Sequence, residues 1–397
     1  MSDHLPEPDA DARAHSARLM DLLRAEVRAN GPMSFARYME CCLYAPGLGY
    51  YSAGSTKFGA EGDFVTAPEL GEIFARCVVG NVLPTLQALG PQADFLELGG
   101  GSGAFAEAAL KALAEAGQPP RRYAILEPSA DLRERQRERL NANLPADLAA
   151  RAQWLDRPPE ETWQGVLFAN EVIDALPTTR FVIRDSEVFE EHVDFDEDGA
   201  LMREDRPADT LVAGAVRHVE QYLGDRLPDG YRSEVLPQLP YWLQAVAGTL
   251  TRGAMLFVDY GYPRRDYYRA ERRDGTLMAH YRHRAHGDAF FWPGLQDLTA
   301  HVDFTSLAEA GYHAGFDLAA YMPQAQFLMA GGLQEIFAAA HDAAPDEATR
   351  YNLAQQVKQL TLPTMMGERF QAMLLMRGMD AAVVPDLLRG FDRSSRL

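Results

Sequence analysis

A glycine-rich loop carries the strongest chemical signal in this sequence. Glu97 lies near the end of a short apolar segment and is followed, at alternating positions, by Gly99, Gly101 and Gly103. A strongly helix-forming segment begins at Ala104. Glycines permit positive φ angles and let a ligand approach the backbone closely, and the beginning of a helix offers free N–H groups to that ligand. The pattern fits two kinds of loop, the dinucleotide-binding fingerprint and the loop that binds S-adenosylmethionine.

The charge of Glu97 distinguishes these two ligands. A dinucleotide would bring a doubly negative pyrophosphate to the loop, and a carboxylate two residues before Gly99 would oppose it. S-adenosylmethionine carries a sulfonium and an ammonium group, which the same carboxylate would favour. Glu127, at the end of the second predicted strand, has the position to accept ribose hydroxyls. We therefore favour S-adenosylmethionine and keep a nicotinamide-dependent oxidoreductase as the alternative.

Three polar residues follow the fourth predicted strand, namely Asn170, Glu171 and Asp174. Ligands of open α/β sheets bind at the carboxyl ends of the strands, so we expect Asn170 to contact the cofactor or the incoming nucleophile. If the segment forms a helical turn, Glu171 and Asp174 share one side. Two carboxylates there can orient a guanidinium, and one can accept its proton. The alternative is that Glu171 caps a helix and Asp174 only shapes the turn.

Longer motifs are more specific than the glycine loop alone. They are GDFVTAPE at 62–69, NEVIDALP at 170–177, DYG at 259–261 and QDLTAHVDFT at 296–305. At these motifs the sequence resembles the MidA-like family of class I S-adenosylmethionine-dependent methyltransferases. The resemblance covers nearly the whole chain, from about Gly31 to Gly378.

The resemblance implies an enzyme that methylates a protein arginine with S-adenosyl-L-methionine. The mitochondrial members of that family methylate a respiratory complex I subunit, so such a subunit is the expected partner. The implied catalytic residues are Glu171 and Asp174. The implied cofactor-binding residues are Glu97, Gly99, Gly101, Gly103, Glu127, Asn170 and Pro68. We interpret the 62–69 loop as a lid over the cofactor. A different possibility is an assembly chaperone that binds the cofactor without turnover.

Alternating strands and helices surround these residues. Between 94 and 170 the apolar pattern predicts short strands separated by helices, which is typical of right-handed βαβ units and a parallel sheet. We predict the α/β, Rossmann-like fold of class I methyltransferases. Its sheet would be doubly wound and seven-stranded, with an N-terminal helical and loop cap and a large insertion after the fourth strand. The last strand, at 369–378, is expected to insert antiparallel.

This interpretation divides the chain into successive regions. They are a flexible acidic N-terminus (1–16), a helical region with the cofactor lid (17–92), the first half of the core (93–170), an insertion for substrate recognition (171–252), the second half of the core with additional helices (253–378) and a tail (379–397). We expect 31–75 and 171–252 to meet over the carboxyl edge of the sheet and exclude water from the cofactor. Bound cofactor should then protect 50–70 from proteolysis.

The charge of the chain limits its partners. The 397 residues carry a formal net charge of −19, which argues against a nucleic-acid partner bound through bulk charge. Residues 264–284 differ, because seven arginines against three acidic residues give a local charge of +4. This segment would either dock an acidic surface of a protein substrate or form a solvated loop with internal ion pairs.

Other chemistries and locations are disfavoured. The three cysteines lack disulfide or zinc spacing, and His280, His283 and His286 have no cysteine partners, so we expect no metal site. No apolar run approaches the roughly 18 residues that a membrane span needs. The N-terminal residues are acidic and lack an apolar core, unlike a targeting peptide. We therefore predict a soluble cytoplasmic protein.

Overall fold

The computed structural model describes residues 5–52 and 66–397. Its strands are β1 (Met33–Ser34), β2 (Asp94–Leu98), β3 (Tyr123–Leu126), β4 (Ala152–Leu155), β5 (Trp163–Asn170), β6 (Thr179–Arg184), β7 (Glu187–Phe195), β8 (Leu201–Pro207), β9 (Arg232–Val235), β10 (Leu250–Tyr262), β11 (Met278–Tyr281), β12 (Arg284–His286), β13 (Asp297–Thr299), β14 (Val302–Asp303), β15 (Asp317–Pro323) and β16 (Phe370–Arg377). Its α-helices are α1 (Ala10–Asn30), α2 (Phe35–Tyr44), α3 (Glu72–Leu89), α4 (Ala104–Glu115), α5 (Ala130–Asn143), α6 (Ala146–Ala149), α7 (Thr210–Leu223), α8 (Leu239–Ala247), α9 (Arg264–Tyr267), α10 (Phe304–His313), α11 (Gln324–Ala330), α12 (Leu333–Ala343), α13 (Glu347–Thr361) and α14 (Asp386–Phe391). Much of the predicted lid, including Asp63, and most of the segment expected to gain protease protection lie outside the described residues.

The chain divides into two compact units. The first unit comprises Met1–Phe64, Ile173–Leu239 and Tyr262–Asp303. The second unit comprises Val65–Val172, Pro240–Gly261 and Phe304–Leu397. Each unit has its own buried apolar core, so each can be described by itself.

The second unit is organised around a mixed sheet with the strand order β15-β16-β10-β5-β2-β3-β4. From β10 to β4 neighbouring strands are parallel, and β2 is buried along its whole length. Buried parallel strands of this kind are typical of sheets that carry helices on both faces. β16 lies between β10 and β15 and is antiparallel to both, as predicted for the last strand.

An aromatic cluster anchors the beginning of α4 to this sheet. Phe105, the second residue of α4, stacks on Phe168 of β5 with ring centroids 4.1 Å apart. Phe95 of β2 and Phe74 of α3 pack around the same pair, and all four rings are buried. Because α4 follows the glycine-rich loop directly, this packing also fixes the position of the loop's last residues.

The first unit contains two smaller sheets. One has the strand order β1-β7-β6-β9 with β8 paired to β7, and the other has the order β12-β11-β13. Met33 pairs with Val193, so parts of the segments expected to meet, 31–52 and 173–239, do share one unit. The sequence of 210–250 by itself predicts mainly helix, but the structure also contains β9 there. That strand forms because it pairs with β6, a contact that the local sequence does not reveal.

The arginine-rich segment uses several of its cations within the first unit. Arg264 is buried, and its Nε donates to Asp303 at 3.0 Å. The guanidinium of Arg269 forms an ion pair with Asp266. For these residues the structure favours the interpretation of internal ion pairs over that of a free docking surface.

Two further features concern membranes and metals. In the part of the chain that the structure describes, every helix is too short or too polar to span a bilayer. Across the same residues, no three or more His, Cys, Asp or Glu side chains are grouped closely enough to share a metal ion.

Gly165 provides a test of the strand spacing in the second unit. Its φ is +154°, and a Cβ there would lie 1.9 Å from the carbonyl oxygen of Asp94 in the neighbouring strand. We expect Gly165→Ala to lower the free energy of unfolding by roughly 2–4 kcal/mol, because the strands must move apart. Gly390→Ala in α14 is the matched control, since nothing lies within 4 Å of its Cβ position. Urea unfolding followed by circular dichroism measures both variants, and wild-type stability of Gly165→Ala would contradict this geometry.

Candidate functional site

The glycine-rich loop connects β2 to α4 in the second unit. Gly99, Gly101 and Gly103 have φ angles of +66°, +52° and +81°, a region that other residues adopt only at a cost. Gly103 is the residue that precedes α4, so the loop leads directly to the free N–H groups of that helix. The predicted positive φ angles are present. The role of these glycines in binding stays a prediction.

Buried side chains lie directly against this loop. A Cβ on Gly100 would come within 2.8 Å of Ile125 in β3 and 3.0 Å of the amide nitrogen of Gln136 in α5. A Cβ on Gly103 would lie 3.3 Å from Cγ of Gln136. The absence of side chains therefore lets the loop rest on β3 and α5.

Glu97 is a buried carboxyl group on β2. The residue is 3% exposed, and the hydroxyl of Tyr123 donates to its carboxylate at 2.7 Å. Burial raises the pKa of Glu97 to about 8, the nearby Glu127 carboxylate adds to the rise, and the tyrosine hydrogen bond opposes it. A cation placed next to this group would favour its ionised form.

Glu127 directly follows β3 and is also buried, at 4% exposure. One carboxylate oxygen accepts from the backbone N–H of Ser129 at 3.0 Å, and the other accepts from Nε2 of Gln136 at 3.4 Å. Burial raises the pKa of Glu127, and these donors oppose the rise. Ser129 caps α5, because its side chain accepts from the N–H of Leu132.

Gln136 is a residue that the sequence analysis missed. It is fully buried in α5, where Nε2 donates to the carbonyl of Gly101 at 2.8 Å and Oε1 accepts from Nε1 of Trp154 at 2.7 Å. One signal in the sequence could have revealed Gln136. It lies one helical turn from both Leu132 and Leu140, so it falls on the buried face of α5. A polar residue on such a face calls for an explanation.

Asn170 and Glu171 lie at the carboxyl end of β5. Nδ2 of Asn170 donates to the Glu171 carboxylate at 2.9 Å. The buried Oδ1 of Asn170 has no hydrogen-bond partner among the residues that the structure describes. Glu171 has a φ of +53°, and its N–H donates to the carbonyl of Val258 at 2.9 Å. A glutamate held in this region of backbone conformation is strained, which is common at functional sites.

Asp174 belongs to the first unit, whereas Glu171 belongs to the second. Asp174 is 5% exposed, and its carbonyl accepts from the N–H of Ala300 at 2.9 Å. Residues 171–176 form bends and turns without a helix. The helical turn considered for this segment is absent, and so is a helix that Glu171 could cap. The argument that helical spacing brings Glu171 and Asp174 to one side therefore no longer holds. The catalytic roles of both residues stay predictions.

The end of the predicted lid contacts the glycine-rich loop. Pro68, which is half-buried, and Glu69 lie in the short 3-10 helix Ala67–Leu70. The hydroxyl of Ser102 donates to the carboxylate of Glu69, and the same hydroxyl accepts from Arg139 at 3.4 Å. The described part of the 62–69 motif is therefore attached to the loop.

The acceptors near this loop fit a cationic, ribose-bearing ligand. Glu97 and Glu127 lie at the carboxyl ends of two neighbouring parallel strands, and both are buried. The unpartnered Oδ1 of Asn170 adds an acceptor at the end of β5, which pairs with β2. A sulfonium, an ammonium group and two ribose hydroxyls match these acceptors, whereas a pyrophosphate brings negative charge and no hydrogen-bond donor to them.

The raised pKa of Glu97 predicts how stability changes with pH. Because the folded-state pKa lies above the ordinary value of 4.5, its contribution to stability is complete below pH 4.5 and is lost as the pH rises through about 8. We expect the melting temperature of the free protein to fall between pH 5 and pH 8, and to fall less steeply in Glu97→Gln. Differential scanning calorimetry measures both slopes. Glu138→Gln, at an exposed position of α5, should keep the wild-type slope, and equal slopes in all three proteins would contradict the burial of Glu97.

A solved structure is similar to this chain over its full length. The crystal structure of a Burkholderia thailandensis protein bound to S-adenosyl-homocysteine matches with a TM-score of 0.91 and 41% sequence identity. The match covers 99% of this chain and 100% of that protein. Similarity of this extent supports a shared fold and a shared family.

Curated relatives from animals are named as protein arginine methyltransferases. The Drosophila melanogaster NDUFAF7 homolog is 29% identical, and the match covers 95% of this chain and 89% of that protein. Human NDUFAF7 is 27% identical, with 89% of this chain and 82% of that protein covered. Both relatives are named as mitochondrial proteins. The prediction of a cytoplasmic protein is therefore wrong.

A sequence model of S-adenosyl-L-methionine-dependent methyltransferases matches residues 77–322, more than half of the chain. This match confirms the resemblance that the motifs indicated, and the alternative of a nicotinamide-dependent oxidoreductase is set aside. The cofactor is S-adenosyl-L-methionine. The chain belongs to this family, the MidA-like methyltransferases that depend on S-adenosylmethionine.

Proposed function

We propose that this methyltransferase acts on an arginine side chain of a protein. The observation that carries the proposal is the placement of Asn170 and Glu171 at the carboxyl end of β5, which pairs with the strand that leads into the glycine-rich loop. The Glu171 carboxylate, held by the Asn170 amide, suits a guanidinium, whose N–H groups are all donors. The curated relatives named as protein arginine methyltransferases support the same acceptor.

The residues around the loop are proposed to hold the cofactor, which supplies an electrophilic methyl group when bound. Glu127 would accept the two ribose hydroxyls, and Glu97 would favour the positive charges of the methionine part. Asn170 would contribute its unpartnered oxygen. The positions where the backbone borders the cofactor would be Gly99, Gly101, Gly103 and Pro68.

The proposed chemical role of Glu171 is to orient the guanidinium and accept a proton from it. Arginine is protonated at neutral pH, so its nitrogen lone pair becomes nucleophilic only as a proton leaves. Asn170 holds one oxygen of the Glu171 carboxylate, which limits how the group can rotate. Proton acceptance by a positioned carboxylate contributes about 10²–10⁴-fold to a rate. Asp174 is the second proposed carboxylate of the substrate site.

We further propose that the sheet of the second unit corresponds to the seven-stranded sheet of class I methyltransferases. Its fourth strand along the chain, β5, ends at Asn170, and the next strand of that sheet, β10, begins at Leu250. The intervening 171–252 would be the insertion that recognises the substrate, since Ile173–Leu239 belongs to the first unit. By family resemblance the substrate would be a respiratory complex I subunit.

Replacement of Glu127 tests the cofactor site. Glu127→Gln keeps the size of the side chain but removes the charge that would accept two hydroxyls. We expect the affinity for S-adenosylhomocysteine to fall at least tenfold, since hydrogen bonds to charged groups contribute about 1.5–3 kcal/mol each. Isothermal titration calorimetry measures the affinity, with Glu138→Gln as the exposed control expected to bind as wild type does. Unchanged affinity of Glu127→Gln would remove this residue from the site.

Replacement of Glu171 tests the chemistry separately from cofactor binding. Glu171→Gln retains an oxygen that can accept from Asn170 but cannot take up a proton. We expect cells that carry this variant to show at least a hundredfold less of the protein's methylarginine product, while the purified variant binds S-adenosylhomocysteine within about twofold of wild type. Mass spectrometry would compare methylarginine peptides from cells with no protein, wild type, Glu171→Gln and Glu138→Gln.

The same comparison distinguishes the alternative of an assembly chaperone. A chaperone would leave the set of methylated peptides unchanged when the protein is deleted, and Glu171→Gln would support cell growth as wild type does. That pair of results would contradict the proposed methylation of a protein arginine.

A further inference from the structure

We propose that Gln136 is a positioning residue that prepares Glu127 to recognise the ribose of the cofactor. The inference rests on the proposed role of Glu127. Gln136 is fully buried and lies within hydrogen-bond distance of both the glycine-rich loop and that carboxylate. Neither contact is required for helix formation, because the backbone of α5 already makes the helical hydrogen bonds.

Trp154 fixes the orientation of the Gln136 amide. An indole Nε1–H can only donate, so the amide atom 2.7 Å from it must be the oxygen. The amide nitrogen therefore faces the opposite way, and its two hydrogens are directed to two different acceptors. These are the carbonyl of Gly101, at 2.8 Å, and the carboxylate of Glu127, at 3.4 Å.

The Glu127 carboxylate is consequently held at both oxygens. The N–H of Ser129 donates to Oε1, and the amide of Gln136 donates to Oε2. The backbone N–H of Gly101 is a third donor to this carboxylate. A carboxylate oxygen can accept more than one hydrogen bond, so the group keeps capacity for a ribose hydroxyl. These donors set the plane of the carboxylate and stabilise its charged form against the effect of burial. Because the carboxylate is already held in this orientation, fewer side chains have to be ordered when a ligand binds.

The same amide links the carboxylate to the loop. Its second hydrogen holds the carbonyl of Gly101, and Gln136 also occupies the space that side chains at Gly100 and Gly103 would need. The Gln136 side chain and the Gly101 N–H therefore together set the distance between the loop and the carboxylate. We infer that recognition of the ribose hydroxyls depends on the part that Gln136 plays in this.

Calorimetry with two ligands tests the inference. S-adenosylhomocysteine and its 2′-deoxy analogue differ only in one ribose hydroxyl, so the ratio of their affinities measures ribose recognition by itself. We expect the ratio to fall roughly tenfold in Gln136→Met, which keeps the length of the side chain without its amide. Trp154→Phe removes the N–H that orients the amide and should reduce the ratio by a smaller factor, roughly threefold.

The outcomes separate this inference from the proposed role of Glu127. If Gln136→Met weakens both ligands equally while Glu127→Gln reduces the ratio, Gln136 is only structural and the inference is overturned. If Glu127→Gln keeps the wild-type ratio, the ribose role of Glu127 is wrong and the inference fails with it. If Gln136→Met does not fold, Trp154→Phe decides, since a reduced ratio supports the inference and an unchanged ratio overturns it.

Discussion

Burial of two carboxyl groups beside a loop of glycines is the constraint on which the candidate site depends. Glu97 and Glu127 lie at the carboxyl ends of adjacent parallel strands, and burial raises the pKa of each. Burial of ionisable groups at this position destabilises the free fold at neutral pH, so the arrangement is useful chiefly when a ligand compensates for it. In the proposed site, a cationic, ribose-bearing cofactor would do so. In the free protein, hydrogen bonds from Tyr123, Ser129 and Gln136 hold the carboxyl groups of Glu97 and Glu127 in place.

The sequence predicted those features that depend on local chemistry. The apolar runs at 94–98 and 152–155 predict strands, and Ser34 and Ser129 stand where helix caps are expected. The structure has β2, β4 and both caps at these positions, because apolar runs and capping side chains act over a few residues. The loop glycines adopt positive φ, as their pattern indicated. The tertiary contacts that no short segment encodes were missed. β9 exists because it pairs with β6, and Gln136 is informative only because three distant groups surround it.

Two differences in secondary structure have identifiable causes. The sequence of 324–341 by itself predicts a single helix, but α11 ends at Ala330 and α12 begins at Leu333, since Gly332 adopts a φ of +89° between them. A helical turn was considered at 171–174, but Glu171 adopts a φ of +53° immediately after β5. In both places a residue with a positive φ prevents a continuous helix. The second lies at the proposed substrate site, where backbone strain and function often coincide.

Family and chemistry rest on different kinds of support. The match to the methyltransferase family covers residues 77–322, and a relative that is 41% identical binds S-adenosylhomocysteine. The arginine acceptor rests on the names of the curated relatives and on the pairing of Asn170 with Glu171. The two proposals meet at the carboxyl edge of the sheet, where Glu97 and Glu127 would face the cofactor and Glu171 would face the guanidinium.

A crystal structure of this protein with S-adenosylhomocysteine tests the central claim most directly. The account predicts both ribose hydroxyls within hydrogen-bond distance of the Glu127 carboxylate, the methionine part along the backbone of the glycine-rich loop, and the amide of Gln136 still donating to Gly101. A ribose that contacts other residues, with Glu127 turned away from it, would contradict the account.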